Sequence, residues 1–109
     1  MNAPDTPAHI LRIPFREWFG LTRAEADLLA TLYLADGALV ASTDLVAAAE
    51  IAPGTLAQRV ASLRTALDAE GLDTERGGYR LTEGGLAECR AAIWIVGEEL
   101  RLIGLRRAA

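Results

Sequence analysis

The stretch that most constrains what this chain can fold into is residues 55–81, TLAQRVASLRTALDAEGLDTERGGYRL. Its first half places Leu56, Val60, Leu63 and Leu67 at spacings of four, three and four, which is the repeat of one helix face. Gly71 ends that run. Its second half reads as two short strands about a glycine pair, the pattern of a β-hairpin. An amphipathic helix of about residues 55–70 therefore leads directly into a tight hairpin, and the rest of the chain must be arranged around that pair.

Upstream, residues 21–36 predict a first helix. Thr22 followed three residues later by Glu25 is a capping box, Leu28, Leu32 and Ala35 recur at helical spacing, and Gly37 supplies the stop. A short strand is expected over 38–41. Ser42 or Thr43 then caps a short helix, with Asp44 placed to meet its dipole. Pro53 sits near the start of the helix that follows, where helices tolerate proline. After the hairpin a long helix is expected over about 82–106, with Thr82 as N-cap. Residues 1–9 read as a tail, and ILRIPFREWFG (10–20) as an apolar arm interrupted by Pro14 that packs on the core or wraps a partner subunit. The expected fold is mainly α with a small β-hairpin: a winged helix-turn-helix unit over 21–81, an arm over 1–20 and a C-terminal helix over 82–109.

Specific motifs carry a family resemblance. LTRAEADLL, GALVASTDLV, TLAQRVASLRTAL and ERGGYRL, in that order, resemble the DNA-binding domain of OmpR-type response regulators over roughly residues 21–81. YRLTEGG also looks like the step into the last helix of MarR-like and PadR-like regulators. The resemblance implies duplex DNA as the partner, with the third helix in the major groove and the hairpin as the wing. No receiver domain accompanies the resemblance, so it carries no phosphorylation input. Ser62, Thr65 and Ala66 stand where that family usually has basic residues.

Helical geometry puts Gln58, Ala61, Ser62 and Thr65 opposite the apolar stripe, with Thr55 nearby and Arg59 and Arg64 on the flanks. Amide and hydroxyl groups read base edges, a small alanine permits close approach, and arginines suit phosphates. A two-residue Gly77-Gly78 loop would pair Arg76 with Tyr79, Glu75 with Arg80 and Thr74 with Leu81. Leu72, Thr74, Arg76, Tyr79 and Leu81 then share one face, while Arg80 is neutralised by Glu75 on the other. Arg76, at the tip, is the expected phosphate or minor-groove contact, ahead of Arg80.

Charge tempers this expectation. The net charge is −4, lysine is absent, and residues 52–81 hold four arginines against four acids. Weak sequence-independent affinity is expected. The salt slope for a dimer would be about −7 if every arginine met a phosphate and about −3 to −4 if half did.

The last helix repeats Leu86, Cys89, Ile93, Val96, Leu100 and Ile103 at spacings of three and four, with Trp94 and Ile95 beside them. That stripe is a candidate homodimer seam. A two-fold dimer would offer two reading helices to half-sites one DNA turn apart. The competing expectation is a protein-interaction module that uses the N-terminal arm, the acidic surface or the long last helix.

The remaining features narrow the class. One cysteine excludes an internal disulfide and fits a reducing cytoplasm. No apolar run approaches a membrane span, and the N-terminus lacks a signal-peptide pattern. His9 stands alone, and Glu98 and Glu99 diverge by about 100° on a helix. No metal-ligand cluster, phosphate-cradling loop or nucleophile–base set is present, so neither enzymatic activity nor a cofactor is expected.

Overall fold

The Thr22 capping box forms as its spacing predicts: the Thr22 hydroxyl accepts the Glu25 amide at 3.3 Å, and the Glu25 carboxylate accepts the Thr22 amide at 3.1 Å. It opens α2 (Arg23–Leu34), the helix around which the rest is arranged. The computed structural model describes residues 6–68 and 70–108, with side-chain surroundings for 10–68 and 70–99. The remaining elements are α1 (Thr6–Phe19), β1 (Val40–Ala41), α3 (Ser42–Ala49), a 3₁₀ turn (Pro53–Thr55), α4 (Leu56–Ala66), β2 (Leu72–Glu75), β3 (Gly78–Leu81) and α5 (Glu83–Ala108). The architecture is mainly helical with a three-stranded antiparallel sheet of order β1-β3-β2.

Leu28, Leu29 and Leu32 of α2 are fully buried with Leu45 and Ala49 of α3, Val60 and Leu63 of α4, Leu72 and Leu81 of the sheet, and Cys89 and Ala92 of α5. The four-three-four stripe of α4 thus points inward as read. Thr82 caps α5, its hydroxyl accepting the Gly85 amide at 3.1 Å and donating to the Glu70 carbonyl at 2.7 Å.

The arm differs from expectation. It is a continuous helix from Thr6, so part of the expected tail is ordered, and Pro14 lies inside it. A mid-helix proline forfeits one backbone hydrogen bond and costs about 3 kcal/mol. Burial of Leu11, Pro14 and Phe15 offsets that cost. The Phe15 ring meets Tyr33 edge-on, with centroids 6.0 Å apart. Asp27, nearly buried on α2, accepts Arg12 Nε of α1 at 2.9 Å and Arg23 Nη1 at 2.7 Å. Arg23 also donates to the Ala49 carbonyl. One carboxylate therefore ties α1, α2 and α3 together, and α1 closes the core of its own chain.

Two local expectations are corrected by β1. Neither Ser42 nor Thr43 caps α3; the cap position is Ala41, without a side-chain bond. The strand runs straight into the helix, and the Ser42 amide is satisfied by the Gly77 carbonyl at 2.9 Å. The hairpin register also shifts: Leu72 pairs with Leu81, Asp73 with Arg80, Thr74 with Tyr79 and Glu75 with Gly78. The loop is Arg76-Gly77, with Gly77 at φ +79°. Gly78 belongs to β3 because β1 lies against it, leaving 2.3 Å from an added Cβ to the Val40 carbonyl oxygen. α4 is also shorter than read, ending at Ala66, with Leu67 already extended.

Candidate nucleic-acid interface

The outward side of α4 is built by the same periodicity that buries its stripe. Gln58, Ala61, Ser62 and Thr65 are exposed, while Thr55, Arg59 and Arg64 are half-buried at its margins. The Thr55 hydroxyl donates to the Ala52 carbonyl at 2.8 Å and the Thr65 hydroxyl to the Ala61 carbonyl at 3.1 Å. With those protons committed, each hydroxyl is left with lone pairs to accept. α4 spans about 16 Å, a length a major groove can hold side-on.

The four arginines of residues 52–81 fall into two groups. Arg59 lies 3.8 Å from Glu25, the carboxylate that also caps α2. Arg64 donates to the Thr74 hydroxyl, tying α4 to β2. Arg80 is held from two sides, with Nη2 3.0 Å from Asp73 and Nε 2.6 Å from Glu75. The expected Glu75 pair is present, and Asp73 is the partner that the sequence reading missed; the one-residue shift of the loop brings it directly opposite. Arg76 sits exposed in the loop, with no hydrogen bond or ion pair among the described residues. The sequence separation of Arg76 from Arg80 therefore holds, and of these four arginines Arg76 alone has no partner among the described residues.

Beside this surface lies an open groove of about 840 Å³ between the end of α4, β2 and the start of α5. Asp68, Glu70, Asp73, Glu83 and Glu88 line it, with Arg80 on its wall. Glu88 accepts the Asp68 amide at 2.9 Å, so one of these acids also pins the turn after α4. Gly71, in the groove wall, meets Gly85 backbone to backbone, where an added Cβ on Gly85 would stand 2.1 Å from the Gly71 oxygen.

The candidate seam on α5 is used differently. Leu86, Cys89 and Val96 are buried within the chain, and Ile93 packs partly buried on the same core. No second copy is needed to cover them, because α1 lies along α5. The side chains of Leu100 and Ile103 lie outside the described residues, as does that of His9. Trp94, flanking the stripe, is the most exposed of the large apolar side chains described, at 69%. Burial pushes the Cys89 thiol up to about 12, with Glu88 adding to the shift and Arg90 opposing it, so Cys89 is a core hydrophobe and not a nucleophile.

Among the described residues no cluster of histidine, cysteine and carboxylates is arranged to hold a metal ion. No described helix is long and apolar enough to cross a membrane. Comparison with protein-family models, curated proteins and solved structures gives no match for this chain.

Proposed function

We propose that this chain is a winged helix-turn-helix protein that binds duplex DNA sequence-specifically and represses transcription as a homodimer, without a cofactor. α4 is the reading helix and the Arg76-Gly77 loop is the tip of the wing. The observation that carries the reading is the division of α4: its entire apolar stripe is buried, while Gln58, Ala61, Ser62 and Thr65 form an exposed face of uncharged polar and small groups. That face suits base edges better than phosphates. Gln58 can bridge adenine, and acceptor hydroxyls on Thr55 and Thr65 suit the amino groups of adenine or cytosine.

Affinity from phosphates is small on this reading. Arg59, Arg64 and Arg80 have partners within the chain, which leaves Arg76 as the ready contact. Replacing Gln58 by Ala should remove discrimination at one base pair and cost about 1–3 kcal/mol on the preferred site only. Replacing Arg76 by Ala should weaken all sequences alike and flatten the salt slope by about 1 per subunit. Equal losses on preferred and scrambled duplexes for Gln58→Ala would remove α4 from the groove.

A second reading, a module that binds another protein, is favoured by Ile10 and Ile13 on α1, which are 60% and 53% exposed, with Trp18 also open. Alanine at Ile10 and Ile13 separates the two: DNA affinity stays unchanged if α4 carries the function.

A further inference from the structure

Gly97 lies in the middle of α5 and has nothing within 4 Å of where its Cβ would be. Glycine is the poorest helix former after proline. Its usual justifications are a positive φ or a close neighbour, and neither is found among the described residues. Gly78 and Gly85, by contrast, are each pressed against backbone of their own chain. Three residues before Gly97 stands Trp94, the most exposed large apolar side chain described. Arg90 and Glu98 flank Trp94 at four residues on either side, so the three share the outer side of the helix. Ala91, also exposed, adds a second small position beside them.

This face is self-complementary. In an antiparallel pair of α5 helices with the two-fold axis at Trp94, Arg90 of each copy comes opposite Glu98 of the other. Gly97 then comes opposite Ala91, and the small pair leaves room for both indoles across the axis. Glu98 already interacts within its own chain, and a carboxylate has lone pairs for a second cation. A copy of opposite direction turns the sequence order Arg–Trp–Glu into Glu–Trp–Arg, so the charges match twice.

We infer that the outer face of α5, built from Arg90, Ala91, Trp94, Gly97 and Glu98, is where a second copy of this chain docks, antiparallel and two-fold symmetric. The inference deepens the homodimer part of the proposed function and replaces the buried Leu86–Cys89–Val96 stripe with the exposed flank of the same helix. One helix on one helix is a small contact, of the kind found in weak, transient pairs, so association in the micromolar range is expected.

The test is sedimentation equilibrium of the full chain without DNA, from about 1 to 300 μM, a range that brackets micromolar association. The expected result is a monomer–dimer equilibrium. Trp94→Ala should weaken it at least about 30-fold, as loss of a central aromatic anchor does. Gly97→Ala is the diagnostic variant: it should raise the melting temperature of the dilute monomer while weakening association about tenfold or more, because the methyl fills the space reserved for the partner. Arg90→Glu should weaken association, and Arg90→Glu with Glu98→Arg should restore it. A wild type that stays monomeric throughout overturns the inference and leaves the face to some other protein. So does association indifferent to Trp94→Ala, with circular dichroism showing each variant folded. Because DNA is absent, dimerisation without DNA affinity counts against the DNA reading alone, and DNA binding by a persistent monomer counts against this interface alone.

Discussion

Replacing Gly78 by Ala probes the register of the hairpin and its junction with β1. In the observed pairing an added Cβ lies 2.3 Å from the Val40 carbonyl oxygen, 3.0 Å from its carbon and 3.2 Å from Ala41 Cα. A normal carbon–oxygen contact needs about 1 Å more, and all three neighbours are backbone, so no rotamer change relieves the clash. Overpacking of this kind costs about 1–3 kcal/mol, with the upper half expected here. Removing a glycine returns about 0.4–1 kcal/mol by restricting the unfolded chain. The net loss is about 1–2.5 kcal/mol, or a melting-temperature drop of roughly 5–12 °C for a domain of this size. β1 is held to β3 by two residue pairs, Val40 with Tyr79 and Ala41 with Gly78, so its amides should also exchange faster. Gly77→Ala is the control: no atom lies within 4 Å of its Cβ, and only the left-handed φ of +79° is penalised, at about 1 kcal/mol. Thermal denaturation and amide exchange of the two variants distinguish the registers. If the loop were Gly77-Gly78, Gly78→Ala would point into solvent. A Gly78→Ala variant that melts within about 2 °C of wild type would refute the close approach of β1.

Other outcomes follow from the same structure. Asp27→Asn removes the charge that holds Arg12 and Arg23, and should cost about 1–3 kcal/mol by urea denaturation; both arginines are partly exposed and regain water, so a larger loss is not expected. Cys89 should resist alkylation in the native state, its labelling rate following global unfolding. Its thiol ionises near 9 when unfolded and about 12 when folded, so its contribution to stability is complete below pH 9 and falls as pH rises from there to 12, by up to about 1.4 kcal/mol per pH unit; Cys89→Ala should lack that alkaline component, and an unchanged slope would count against the burial. Gly85→Ala should destabilise at least as much as Gly78→Ala, because its Cβ would stand 2.1 Å from the Gly71 oxygen.

What was legible in the sequence was local or periodic. The Thr22–Glu25 box and the Thr82 cap are decided within three residues, and both form. The faces of the hairpin also survived the shift of its loop. Moving the loop back by one residue exchanges Thr74–Leu81 for Thr74–Tyr79, and the period of two leaves Leu72, Thr74, Tyr79 and Leu81 on one side. The loop position itself was hidden, because it depends on β1, more than thirty residues earlier, pressing on Gly78. Pro14 suggested a break, yet the packing of Leu11 and Phe15 decided the matter through residues distant in sequence. The stripe on α5 told that one side is buried and not by what; α1 occupies it. The internal partners of Arg59 and Arg64 are tertiary contacts to Glu25 and Thr74, for which spacing along α4 gives no signal.

The central claim, that α4 reads duplex DNA, is tested most directly by presenting the full chain with a pool of randomised duplexes, at low and at moderate salt, and sequencing what is retained. Retention at low salt, enrichment of one motif, loss of its discrimination at a single base pair in Gln58→Ala, and a salt slope near −2 for a dimer with Arg76 as the main phosphate contact of each subunit are expected. A folded protein that retains no duplex at low salt, or retains all sequences equally, contradicts it.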